Sequence, residues 1–234
     1  MEILPPLTDR LRRLTPFQWV IVILLLVFVL FRAYDLIRQP SLLVAYLLIL
    51  GIAFPVHEFA HAWTGVYLGD ETPRIQGRLT LNPLKHLDIF GTLMLLLNGF
   101  GWAKPVQVYP WYLRGRYAMV WVALAGPVSN LLLAGLGALG YRVGVLSANL
   151  FLAQTTSQFI FINLILFFFN LIPLFPLDGE KILYDLAPST WQRTMDSIRP
   201  YGIFILILVA MLIPQVFSFL IVGPALFVSN LLIG

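Results

Sequence analysis

Two histidines and a glutamate form the strongest chemical signal in the chain. They occur as His57-Glu58-Phe59-Ala60-His61, and the 234 residues contain only three histidines. On a helix, residues i and i+4 lie on one face one turn apart, so both imidazoles can bind a single metal ion. Glu58 would then lie close enough to accept a proton from a water molecule at the metal. The spacing predicts a zinc site with hydrolytic chemistry, the alternative being a polar cluster that joins helices without a metal.

A hydrolytic zinc site takes three protein ligands and leaves one position for water, so a third ligand is expected. The chain has no cysteine, which leaves histidine, carboxylate or carbonyl ligands. Asp178 is the best candidate. Pro173 and Pro176 interrupt the helix before it, and Gly179 permits an unusual backbone just after it. The alternative for Asp178 is a carboxylate at a helix end in the membrane interface.

The composition indicates that a bilayer surrounds these residues. The chain is 59% hydrophobic and 11% charged, whereas soluble domains are about 45–50% apolar and about 25% charged. This excludes a soluble protein and a disordered one. A net charge of +4 spread over so many apolar residues forms no basic stripe, which excludes a nucleic-acid-binding domain.

Apolar runs of about 20 residues predict the membrane spans. They cover residues 15 to 31 or 33, then 41–68, 117–143 and 153–175, with a last stretch at 201–232. Pro214 and Gly223-Pro224 interrupt that stretch, so it forms either one span with a tail or two spans; we expect two. The predicted fold class is therefore an all-α polytopic membrane protein with about six transmembrane helices, in a single domain of residues 1–234 with no soluble domain.

The basic residues favour a topology with the N-terminus in the cytoplasm. In that topology 12 of the 15 lysines and arginines lie in inner segments, and Arg32, Arg38 and Arg142 remain outside. His57 then lies about 24 Å along an inward-running second span, and Asp178 at the inner end of the fourth. Both halves of the site fall at a similar depth, toward the cytoplasmic side. The lack of a signal-peptide pattern favours a prokaryotic cell (inner) membrane. The inner cations are Arg10, Arg12, Arg13, Arg74, Arg78, Lys85, Lys104, Arg114, Arg116, Lys181, Arg193 and Arg199.

The connection between the second and third spans, residues 70–116, holds two irregular features. The run Arg74–Leu81, RIQGRLTL, alternates like a strand or small β-hairpin, and we expect it, together with the glycine-broken loop that follows, to pair with an extended substrate segment. The run 93–108 is apolar but broken by glycine and proline, which indicates a non-helical loop that dips into the membrane. His86 is expected on the loop surface, with a role at the entrance of the site as the alternative.

The motifs resemble those of the site-2 protease family of intramembrane zinc metalloproteases. Besides HEFAH, similar stretches occur in the family's order: RLTLNPLKHLD (78–88), GWAKPV (101–106), GPVSN (126–130) and NLIPLFPLDG (170–179). The resemblance implies one Zn²⁺ per chain with ligands His57, His61 and Asp178, and Glu58 as the catalytic residue. It also implies that Asn170 positions the substrate or stabilises the oxyanion; from the residues alone, Asn170 could equally join two helices.

Two features depart from the family pattern. Ile89 stands where relatives often have proline, and no PDZ-like or nucleotide-sensing domain is inserted around the catalytic core at about residues 41–187. In the third span we interpret Gly126, Pro127 and Asn130 as packing residues first and functional residues second.

The resemblance implies an enzyme that hydrolyses peptide bonds in or near the transmembrane segments of membrane-protein substrates. One alternative is a membrane metal-ion transporter, against which the glutamate beside the ligands and the lack of internal repeats both argue. The other is a catalytically inactive binder of membrane proteins. No nucleic-acid partner is expected.

Overall fold

The structure, a computed structural model, describes residues 15–99 and 101–234. Arg10, Arg12 and Arg13, on which part of the topology prediction rests, therefore lie outside the described residues. The chain divides into two units, Met1–Pro40 and Ser41–Gly234. In the first unit, helix α1 (Pro16–Arg38) begins with a capping box, in which the Thr15 hydroxyl oxygen accepts from the Gln18 N–H and the Gln18 side chain accepts from the Thr15 N–H.

The remaining helices follow in chain order. They are α2 (Pro40–Leu48), α3 (Phe54–Tyr67), α4 (Thr72–Ile75), α5 (Pro83–His86), α6 (Ile89–Asn98), α7 (Ala118–Arg142), α8 (Leu150–Asn170), α9 (Asp178–Leu186), α10 (Ser189–Ile198), α11 (Gly202–Leu212), α12 (Pro214–Phe217) and α13 (Gly223–Ile233). Short 3₁₀ turns occur at Pro110–Tyr112 and Arg199–Tyr201, and π turns at Ile49–Ala53 and Ser218–Val222.

Six helical runs in the described residues are long and apolar enough to cross a membrane, which confirms the prediction of six spans and an integral membrane protein. The last apolar stretch indeed forms two of them, separated at Pro214. The fifth begins earlier than expected, at Ser189 rather than Tyr201. The runs are Pro16–Arg38, Pro40–Tyr67, Ala118–Arg142, Leu150–Asn170, Ser189–Leu212 and Pro214–Ile233.

Two of these runs contain a π turn immediately before a proline. The Phe54 N–H donates to the Ile49 carbonyl, five residues back, just before Pro55; the Gly223 N–H donates in the same way to Ser218, just before Pro224. Since proline has no N–H, the usual bonding pattern is already interrupted at these points, and the wider turn keeps the helix continuous. Helices α2 and α3 therefore form one span, with the HEFAH motif directly after its π turn.

Helix α7 lies at the centre of the second unit, where it packs against α3, α8 and α9. On the α8 side, Ala134 and Ala138 meet Ile160 and Leu164, and Ala225 of α13 completes the cluster. Small residues on α7 allow this close approach of helix backbones. The opposite side of α7 is thereby held against the motif helix α3.

The β-hairpin predicted over Arg74–Leu81 was wrong. Part of that segment lies in α4 and turns at Gly77, which has φ +66°, and the only β-bridge in the described residues joins Leu87 and Ala103. The alternation did not reflect a sheet. Arg78 is buried and donates to main-chain carbonyls, which satisfies a polar residue without strand pairing. No substrate-pairing strand exists there.

The non-helical loop predicted over residues 93–108 was wrong in its first half, because α6 runs to residue 98. Asp88 caps its start, because the Asp88 carboxylate accepts from the Gly91 N–H, and Gly99 follows its last residue in the left-handed region at φ +74°. Residues 101–108 are non-helical, as predicted, and Gly101 lies against α6 so closely that a side chain there would meet Leu95. His86, expected on the surface, is fully buried, with Nε2 2.7 Å from the Thr80 carbonyl oxygen.

Candidate metal centre and active site

The two motif histidines lie side by side on α3. Their Nε2 atoms are 3.0 Å apart and both residues are buried. Each ring also uses its other nitrogen: Nδ1 of His57 is 2.7 Å from Oδ1 of Asn130, and Nδ1 of His61 is 2.7 Å from the Val122 carbonyl oxygen. Because both partners are oxygen acceptors, each neutral ring carries its proton on Nδ1 and presents an Nε2 lone pair to the site.

Asp178 completes a group of three. Its Oδ2 lies 3.0 Å from Nε2 of His61 and 3.3 Å from Nε2 of His57. The sequence predicted that Asp178 closes the fourth span. In the structure α8 ends at Asn170, and Asp178 begins the separate helix α9. Gly179 allows this approach, because a side chain there would collide with the carbonyl of Ile172.

The three donor atoms fit one zinc ion. They lie 3.0–3.3 Å from one another, and tetrahedral coordination at bond lengths of about 2.0–2.1 Å would separate ligands by about 3.3 Å. With both histidines protonated at Nδ1, three electron-rich atoms converge with no hydrogen between them. Such a buried arrangement calls for a cation at its centre. His57, His61 and Asp178 could therefore hold one metal ion.

Gly126 of α7 leaves the space that this ion would need. A Cβ at this position would lie 2.6 Å from Nε2 of His57 and closer still to Nε2 of His61. The absence of a side chain thus brings the backbone of α7 directly onto the donor atoms. From the sequence, Gly126 was interpreted as a packing residue first and a functional residue second, and its position at the centre is seen only in the fold.

Lys181 fixes the other oxygen of Asp178. Its Nζ lies 2.9 Å from Oδ1, so Oδ2 is the oxygen that faces the histidines. The positive charge of Lys181 at this distance favours the ionised form of the buried Asp178 carboxyl. The carboxylate is therefore charged, as a metal ligand must be.

Glu58 lies between the histidines in sequence and is also buried. Its Oε2 accepts a hydrogen bond of 2.8 Å from the main-chain N–H of Val106. This bond crosses from α3 to the non-helical segment 101–108 and sets the direction of the carboxylate. No side-chain motif could have revealed the donor, because every residue except proline carries a main-chain N–H.

A cavity of about 490 Å³ borders the centre, within the range typical of ligand sites. Its lining joins Glu58 and the three donor residues to the apolar residues Ile203, Leu206 and Ile207 of α11. Asn170 lines the same cavity, while its Nδ2 donates to the Leu166 carbonyl one turn back in α8. The structure thus places all five predicted site residues at one cavity.

Two buried asparagine side chains, Asn130 and Asn163, form a hydrogen-bonded chain that ends at Nδ1 of His57. Nδ2 of Asn130 donates to Oδ1 of Asn163 at 3.0 Å, and Nδ2 of Asn163 donates to the Phe159 carbonyl at 2.9 Å. Since Nδ2 of Asn130 donates to Asn163, the Asn130 oxygen Oδ1 is left to accept from Nδ1 of His57. The only sequence signal was the polarity of Asn130 and Asn163 inside apolar spans.

Replacing Asn130 by leucine should weaken zinc binding. The His57 ring would lose the acceptor that fixes its tautomer, and such outer partners are worth about 10–100-fold in metal affinity. Competition with a fluorescent chelator would measure the affinity of the purified protein. Asn130→Asp keeps an oxygen acceptor and is expected to bind more tightly than Asn130→Leu. Equal affinity in the wild type and Asn130→Leu would contradict this role.

Comparison with known proteins identifies a family and several relatives of the chain. The model of the family "Peptidase family M50" matches residues 141–213, a range that includes Asp178 but not the histidines. The Bacillus subtilis (strain 168) protein named "Putative zinc metalloprotease YwhC" is 46% identical over 192 residues, which cover 79% of this chain and 85% of that protein.

A second relative is the Mycolicibacterium smegmatis protein named "Putative zinc metalloprotease Rip2". It is 30% identical over 193 residues, covering 78% of this chain and 73% of that protein. The Mycobacterium tuberculosis (strain H37Rv) protein of the same name is 30% identical over 165 residues, covering 67% and 63%. No solved structure matches the chain. Because the Bacillus subtilis relative matches most of this chain and most of its own length, and because the family model also matches, the chain belongs to Peptidase family M50. This is the family of the site-2 proteases, whose metal is zinc.

Proposed function

We propose that the chain is an intramembrane zinc metalloprotease that hydrolyses peptide bonds in or near transmembrane segments of other membrane proteins. One observation carries the proposal: three converging donor atoms lie with a glutamate at one cavity, inside a chain with six apolar spans. In this proposal the zinc ligands are His57, His61 and Asp178. The whole chain acts as one intramembrane domain with its catalytic core at about residues 41–187.

Zinc bound at this centre would polarise the scissile carbonyl and lower the pKa of a water molecule to about 7. Glu58 is the general base. With Oε2 held by the Val106 N–H, its second oxygen accepts the proton of the attacking water and later donates it to the leaving amine. Asn170 uses one hydrogen of its Nδ2 on Leu166 and has a second to donate to the negative charge that develops on the carbonyl oxygen.

The substrate must be locally unwound, because the peptide bonds of a transmembrane helix are hydrogen-bonded and hidden. We place the active site and the N-terminus toward the cytoplasmic side of a prokaryotic cell membrane, from the distribution of lysine and arginine. The apolar residues of α11 on one side of the cavity suit a substrate that arrives from the bilayer.

The proposal predicts zinc-dependent cleavage of a single-span reporter by the purified protein in detergent or liposomes. A chelator that removes zinc should abolish cleavage, and added zinc should restore it, since the ligands without metal cannot activate water. Gel analysis of the products together with the zinc content would measure both effects.

The transporter and the inactive binder lead to other results. Intact reporters across a panel of spans, with zinc bound, would contradict the proposal. Zinc flux into liposomes under those conditions would favour a metal-ion transporter, in which the same three ligands form a transit site.

A further inference from the structure

Arg78 is a buried charge that the proposed mechanism does not use. Only 7% of the residue is exposed, and none of the ion pairs formed by residues 15–99 and 101–234 includes it. Its guanidinium instead donates to three main-chain carbonyls: Nη1 to Lys85, and Nη2 to Lys104 at 3.3 Å and Pro105 at 3.2 Å. A buried guanidinium is stabilised only when its donors are taken up in this way, so these contacts are strongly held.

One peptide group joins Arg78 to Glu58. The peptide bond between Pro105 and Val106 is trans, so its C=O and N–H point in opposite directions. Its oxygen accepts from Arg78 at 3.2 Å and its N–H donates to Oε2 of Glu58 at 2.8 Å. A positive charge at one end and a carboxylate at the other polarise the group and strengthen both hydrogen bonds.

The segment around this peptide group is held on both sides, by Lys104 before it and by the Tyr109 N–H after it, which donates to Oδ2 of Asp70 at 2.7 Å. The Lys104 N–H donates to the His86 carbonyl at 2.6 Å, and Ala103 bridges Leu87. Beyond that point the Pro105 carbonyl contacts Arg78, and proline has no N–H of its own with which to hold the chain. Between these two points, Arg78 holds the carbonyl side of the peptide group whose N–H faces Glu58.

We propose that Arg78 is a positioning residue that orients the catalytic base through the Pro105–Val106 peptide group. The inference rests on the proposed function, in which Glu58 is the base. Without the guanidinium, the peptide group and the carboxylate bonded to it would turn away from the attacking water. Misplacement of this kind costs up to about 100-fold in rate. The zinc ligands lie on α3 and α9, which Arg78 does not contact through these bonds.

The test compares Arg78→Met and Arg78→Lys with the matched control Arg74→Met. Arg74 is exposed and forms a surface ion pair with Glu71. We expect kcat to fall about 10–100-fold in Arg78→Met, with KM and zinc content unchanged. Arg78→Lys, which keeps the charge but not the fork of donors, should recover part of kcat. Hydrogen exchange of the 103–108 segment should be faster in Arg78→Met, and Arg74→Met should match the wild type in every respect.

Two results would overturn the inference. One is wild-type kcat in Arg78→Met; the other is a parallel loss of zinc, of substrate binding and of folded protein in both Arg78 variants, which indicates a merely structural role. If the wild type itself cleaves no reporter, the proposed function fails. The exchange measurement still decides the link to Val106 in that case, because unchanged exchange in Arg78→Met and Arg78→Lys would contradict it.

Discussion

Replacing Gly126 by alanine is expected to remove zinc and proteolysis together. The added methyl group would lie 2.6 Å from Nε2 of His57 and nearer still to Nε2 of His61, so it occupies the space into which the donor atoms point. Alanine favours a helix more than glycine does, by about 1 kcal/mol, so the helix itself is not weakened. Elemental analysis of the purified variant should find less than about a tenth of the wild-type zinc, since a filled site cannot complete its coordination.

Gly135→Ala is the matched control. It lies in the same helix, and a Cβ there would meet nothing within 4 Å. This variant should keep its zinc and its activity. One zinc per chain in Gly126→Ala would contradict the placement of the metal between α3 and α7.

Glu58→Gln is expected to abolish turnover while zinc remains bound. Glutamine has the same shape, and its amide oxygen can still accept from the Val106 N–H, so the local geometry should persist. An amide cannot accept the proton of the attacking water, and the loss of a general base costs about 10²–10⁴-fold in rate. Initial cleavage rates of the reporter and the zinc content, measured on the same preparation, would check both statements.

Glu71→Gln serves as the control for that change, because Glu71 is exposed and its ion pair with Arg74 lies on the surface. It should cleave at the wild-type rate. Turnover by Glu58→Gln within a few-fold of the wild type would contradict the assignment of the base. Loss of zinc from this variant would instead show that Glu58 helps to hold the metal.

The helical framework and the grouping of donors could be expected from the sequence because each rests on a simple regularity. Apolar runs of about 20 residues correspond to spans, and an i, i+4 pair of histidines lies on one face of a helix. Asp178 was predicted as a ligand because a hydrolytic zinc site needs a third one and because this residue follows Pro173 and Pro176. Its position on a separate helix was not foreseen, since the proline-rich turn could equally have continued the span.

Main-chain contacts could not be predicted, because they leave no residue signature. The Val106 N–H that holds Glu58 and the Val122 carbonyl that holds His61 depend only on where the backbone passes. The alternation around Arg78 was misread for a related reason. A buried arginine satisfied by carbonyls and a strand residue facing water give the same polar position in a pattern.

Mass spectrometry of the products formed from a single-span reporter in H₂¹⁸O tests the central claim most directly. If water hydrolyses a peptide bond at this centre, we expect two fragments whose common cleavage position lies in or near the span. The new carboxyl terminus should carry one ¹⁸O, and neither fragment should appear with Glu58→Gln. An intact reporter with a full complement of zinc, or cuts confined to the reporter's soluble flanks, would contradict the account.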